Sequence, residues 1–218
     1  MVLFAALTYA ITQSNRGNAV SMSREIADNR AAELVNYGNA MKYATNSLIL
    51  RGCDETQINY ANIYYPAPNV NAPANGNCDI FGANGGGVSP RLFGSEYLDS
   101  TQTNAAYLST KGSLVVNGCN RVQYLGTDVN GLGSVDALGI FTAVNPEICK
   151  AINKRYNINS PNYTPISTNL YGCWSGTPII TDGFLVTAMT DLAKKGGGCY
   201  YVGQYGGYTS YFVPLMER

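Results

Sequence analysis

The chain of 218 residues contains no histidine. That removes at once the commonest general acid/base and the commonest metal ligand. Charge is scarce as well: 14 Lys and Arg balance 14 Asp and Glu, and only 13% of residues are charged, about half the usual share. A chain this poor in Lys and Arg offers nucleic acid no electrostatic footprint, and no basic cluster is present to hold anionic lipid. The short signatures of catalysis are missing too. There is no G-x-S-x-G elbow, no Cys–His pair and no H-E-x-x-H. Carboxylates such as Glu96, Asp99, Asp182 and Asp191 could form a glycosidase pair only if the fold brought two together. The chain is expected not to be an enzyme and to need no cofactor.

The polar residues that are present are Asn, Ser, Thr and Gly, beside 17 Tyr. Such a composition suits a protein that lies against copies of itself or against sugars. Six cysteines, Cys53, Cys78, Cys119, Cys149, Cys173 and Cys199, are widely spaced, and none forms a C-x-x-C pair. With no histidine to complete a zinc site, disulfides and an oxidising compartment are expected. Many pairings are open to six cysteines. The preferred set is Cys53–Cys78, whose members flank one loop-like stretch, with Cys149–Cys199 and Cys119–Cys173.

Residues 1–11, MVLFAALTYAI, form an apolar run broken only by Thr8. As a helix the run spans about 16 Å, roughly half a bilayer core. It reads either as part of a longer apolar segment or as the mature end of a processed protein. No proline occurs from Gln13 to Arg51, and Ile26, Leu34, Tyr37, Met41, Ala44 and Leu48 recur at helical intervals. Arg24, Glu25, Asp28, Arg30 and Glu33 fall on the opposite face. This predicts one helix of about 50 residues, with Gly17 and Gly38 as candidate bends and Gly17 a candidate break, stopped at Arg51-Gly52-Cys53 by a glycine cap. The apolar tip, with Met1, Leu3, Phe4, Leu7 and Ile11, would then find its partners outside the head.

Two units are therefore expected: residues 1–51, a long helix for assembly and anchoring, and residues 52–218, a disulfide-stapled globular head. Residues 54–113 are rich in Pro, Asn and Gly and predict loops. Asn117-Gly118, flanked by Leu114-Val115-Val116 and by Arg121 to Leu125, predicts a β-hairpin, Asp136 to Val144 a strand, and Asn145-Pro146 the start of a short helix. Thr187 to Lys195 predicts a further short helix or turn. Cys199 to Val202 and Thr209 to Leu215 predict two aromatic strands. The fold class is α+β, with the long helix packed on a small antiparallel sheet carrying loop-rich insertions. The loop GTDVNGLGSVD could offer calcium oxygens from Asp128, Asn130 and Asp136, but it lacks the acids and closing Glu of an EF-hand. An Asx-rich turn is the expected reading there.

An apolar N-terminal run continuing into a long amphipathic helix and a cysteine-bearing β-rich head resembles a type IV pilin or pseudopilin. The segments PEICKAIN, GGGCYYV and SYFVPLMER also resemble pilin-like proteins of bacterial envelopes. Ala5 stands where the mature family usually carries Glu, and the family's leader is not seen here. The resemblance implies a filament subunit at the cell surface, held in the inner membrane before assembly and then packed against copies of itself through its N-terminal helix. A minor pilin or adhesin-type module binding surface glycan or protein is the alternative.

Overall fold

Ser23 sets where the first helix begins. In the computed structural model its backbone is extended (φ −59°, ψ 145°), and its hydroxyl accepts the Ile26 N–H, an N-cap that satisfies one otherwise orphaned donor. Helix α1 runs from Arg24 to Leu50, 27 residues or about 40 Å. The structure describes residues 22–64, 66, 68–102, 112–121, 136–158, 165–166, 184–185, 195–202 and 207–216. The single helix of about 50 residues expected within residues 1–51 is thus corrected: Met22 and Ser23 are not helical, and α1 begins at Arg24. The far end behaves as predicted. Gly52 takes φ +93°, its N–H bonds Ile49 O at 2.9 Å, and the Cys53 N–H bonds Leu48 O at 3.0 Å. These are the paired bonds of a Schellman cap.

The buried stripe of α1 is Ala27, Ala31, Leu34, Gly38, Met41, Ala44, Thr45 and Leu48. Ile26, expected in it, is 45% exposed, because it lies one step round the helix from Ala27. Gly38, expected as a weak point, lies within the unbroken helix and is a contact point. A Cβ there would stand 2.8 Å from Tyr211 Oη and 3.0 Å from Val213 Cγ1. Glycine lets the helix lie close on the sheet at a propensity cost of about 1 kcal/mol.

The sheet has strands β1 (Leu114–Arg121), β2 (Asp136–Thr142), β3 (Pro165–Ile166), β4 (Phe184–Leu185), β5 (Gly198–Val202) and β6 (Tyr208–Met216), in the order β3-β5-β6-β2-β1-β4. Its four longer strands are antiparallel neighbours, and two-residue β3 and β4 pair in parallel at the edges. The fold is α+β, as its element order predicts. The expected hairpin at Asn117-Gly118 does not form: β1 passes straight through those residues, paired with β2 on both sides of a register shift between Asn117 and Asn120. Partners across the sheet override the local turn signal, and the irregularity absorbs it as a bulge does.

Helix α2 (Pro146–Arg155) starts as its sequence predicts, with Asn145 Oδ1 accepting the Glu147 N–H at 2.9 Å and Pro146 in the first turn. Ile148, Cys149 and Ile152 are buried, while Lys150, Lys154 and Arg155 face solvent. Two disulfides are seen, Cys53–Cys78 and Cys149–Cys199, both among the expected pairs. Cys119 lies in β1 and Cys173 outside the described residues, so the third expected pair is outside them as well. The core joins the inner face of α1 to Phe141, Tyr211, Val213 and Leu215 of the sheet, Ile148 and Ile152 of α2, and Ile58, Tyr60, Ile80 and Phe93 of the loops.

Candidate assembly face

The two ends of α1 meet the rest of the protein differently. Near its start Arg30 and Glu33 are engaged with the loop stretch. Arg30 donates to the Glu96 carbonyl at 2.7 Å and lies over the Tyr97 ring, 5.5 Å from its centroid. Arg91 reaches Glu33 Oε2 at 2.6 Å, and the Tyr97 hydroxyl donates to the same oxygen at 2.7 Å. The Tyr97 bond, then the Arg91 bond, hold the Glu33 carboxyl below its ordinary pKa. Burial, then that same bond to Glu33, push the Tyr97 phenol up. Tyr37 donates to Ser89 O at 3.3 Å and accepts the Arg91 N–H at 3.2 Å, while Arg91 covers the Phe93 ring. Together these contacts clamp residues 89–97 onto the helix.

Toward its other end, Lys42 is the only charge from Leu34 to Leu50. The residues turned outward are Asn36, Ala40, Tyr43, Asn46, Ser47 and Leu50. Tyr43 is 72% and Leu50 88% exposed. They are seven residues apart, two turns of the same face. Directly behind them Met41, Ala44 and Leu48 are sealed into the core. The inner side of this half of the helix is apolar, and its outer side carries no charge but two large exposed side chains, Tyr43 and Leu50.

Nothing in family models, curated proteins or solved structures matches this chain. The geometry has to speak alone.

The tip residues Met1, Leu3, Phe4, Leu7 and Ile11 lie outside the described residues. So do the calcium candidates Asp128 and Asn130, the carboxylates Asp182 and Asp191, and the helix or turn expected from Thr187, apart from its last residue, Lys195. Asp136 opens β2 opposite Asn120, within paired strand. Asp99 accepts the Thr101 N–H and hydroxyl in a local turn. Among the described residues no group of three His, Cys, Asp or Glu side chains could hold a metal, and no helix is long and apolar enough to cross a membrane. Tyr43 and Leu50 were not singled out by the stripe of buried positions. Plotting α1 at 100° per residue puts them opposite Met41 and Leu48, which is the signal that finds them.

Proposed function

We propose that the chain is a structural subunit of an extracellular, pilus-like filament, assembled by packing α1 and the residues ahead of it against neighbouring copies. The observation that carries the reading is the outer face of α1, where Tyr43 and Leu50 stand in solvent two turns apart. The helix is already anchored on its inner side, so a copy covering the outer side would bury both without disturbing the head. The apolar run of residues 1–11 supports the same reading, since a run of that kind gains most when neighbouring helices bury it together. The disulfides suit an oxidising compartment such as the envelope or cell surface. Assembly of this kind requires no catalysis and no cofactor.

Electron microscopy of the full chain tests it. The unaltered chain is expected to form filaments, and Tyr43→Asp combined with Leu50→Asp is expected to leave a folded, dispersed head by circular dichroism. Filaments of normal abundance from the double variant would remove the outer face from assembly. An unaltered chain that stays monomeric at every concentration would remove the filament.

A further inference from the structure

The face of the sheet turned away from α1 carries a row of hydroxyls. Tyr211 and Val213 meet Gly38 of α1, so Ser210, alternating with them along β6, points to the other side. Thr142 of β2 and Tyr200 of β5 are the partners of Ser210 on its two flanking strands. The three side chains therefore form one line across three strands on a single face. Ser210 is completely buried and Tyr200 is 4% exposed. The hydroxyl oxygens of all three are covered and make no hydrogen bond within the protein. Burial raises the Tyr200 phenol strongly, and Ser210 faces it closely enough to offset part of that rise, though without hydrogen-bonding geometry.

Native interiors seldom leave such groups unpaired, and three in one row is a concentration that calls for a partner. The local backbone cannot serve, because its groups are engaged in the ladders of β2, β6 and β5. Directly opposed residues on antiparallel strands hold their Cβ atoms about 5 Å apart. Ser and Thr hydroxyls at that spacing can bond one another, yet these three do not, and one water oxygen about 2.8 Å from each would complete them. A hydroxyl both donates and accepts, so it can bond water in either sense.

We propose that Thr142, Ser210 and Tyr200 form a built-in binding site for internal water, which bridges the three strands on this face. A single water bonded to all three hydroxyls would have the usual coordination of buried water. Side chains that hold it act as a polar clasp, while Ile140 and Phe212 on the same strands supply apolar surroundings.

A crystal structure of the full chain reads the site directly. The expected result is an ordered water within hydrogen-bonding distance of at least two of the three hydroxyls; hydroxyls that bond each other, or a site without such density, would overturn it. Denaturant unfolding gives an independent reading. If water is held there, Thr142→Val and Ser210→Ala each lower the unfolding midpoint, the double variant loses less than the sum, and Thr142→Ser keeps the midpoint. If the row is dry, removing a buried unpaired hydroxyl leaves the midpoint unchanged or raises it, and the proposal fails. Water-selective nuclear Overhauser spectroscopy on the unaltered chain provides the same decision without a variant: a cross-peak from long-lived water to Ser210 or Thr142 is expected, and its absence counts against the site.

Discussion

The sheet and the loop stretch of residues 53–99 pack on the same helix, yet they solve the backbone hydrogen-bonding problem in opposite ways. The four longer strands bond one another in ladders. The loop stretch has two short 3-10 turns and two isolated bridges, and side-chain amides and carboxylates supply many of the partners that strands would have given. Asn69, 5% exposed, donates to Thr56 O at 2.7 Å and Ile58 O at 2.9 Å and accepts the Asn71 N–H. Asn59 accepts the Ala61 and Asn69 N–H groups and donates to Asp79. Asp54 closes a capping box with Gln57. Asparagine in this protein is therefore partly internal framework, in a chain whose composition suggests only a polar surface. Buried main-chain groups must be paired, and Asn, with a donor and an acceptor on a short stem, can do so where no strand runs alongside.

The disulfides offer the strongest way to break this comparison. Cys149–Cys199 spans 50 residues and ties α2 to β5; Cys53–Cys78 spans 25 and ties the end of α1 to the loop stretch. On loop-closure entropy, replacing each pair by Ser costs about 4 and about 3.5 kcal/mol respectively. Hydrogen exchange should show what the near-equal totals hide. Loss of Cys53–Cys78 is expected to speed exchange at Asn59 and Ile80 while leaving β6 protected; equal loss in both places would mean the two regions open as one unit.

A smaller effect separates two asparagines. Asn153→Ala strips the Cys199 N–H and carbonyl of their buried side-chain partners, bonds of 2.6 and 3.1 Å, and is expected to cost about 3 kcal/mol. Asn69→Ala removes a similar set of bonds in the loop stretch and is expected to cost about 2 kcal/mol, with the damage confined to residues 56–71. Urea unfolding with residue-resolved exchange measures both. A global loss from Asn69→Ala would show the loop stretch to be part of the sheet's cooperative unit.

The smallest effect is at Glu33, whose carboxyl is held below its ordinary pKa by Tyr97 and Arg91. A depressed folded pKa adds stability that is complete above the unfolded value, near 4.5, and is lost as pH falls through the folded value. The site is about half exposed, so the gain is small. Glu33→Gln should therefore trail the unaltered chain slightly at neutral pH and match it in strong acid. Thermal unfolding across that range checks it, and a gap that widens in acid would contradict the sign.

Much of the fold could be read from sequence because its signals are local. The Asn145-Pro146 start of α2 and the Gly52 stop of α1 each depend on a few adjacent residues whose geometry the chemistry dictates. The aromatic strands near the end and the Cys53–Cys78 pair flanking one loop belong to the same kind. Asn117-Gly118 failed for the complementary reason: a turn signal is outweighed when partners lie on both sides in the finished sheet. Ile26 failed because Ala27 and Ala31, small residues easily passed over, form the inner stripe at the start of α1. The candidate face was legible only in part. Tyr43 and Leu50 look like core residues by type, and their exposure depends on how α1 is rotated against β6. Gly38 lies where the two meet, and its contact with Tyr211 is not visible without the sheet.

Asn153 has one further consequence. Among the described residues, it occupies both main-chain groups of Cys199 on the side of β5 away from β6, with β3 pairing Tyr201 and Val202 just beyond, so that this stretch of β5 offers an incoming strand no free template. The remaining outer strand, β3, is only two residues long, and short edges recruit poorly. Runaway strand-to-strand growth is therefore discouraged on this side. If copies of the chain are to join, the sheet's border at β5 directs them to side-chain surfaces, where register and stoichiometry can be controlled.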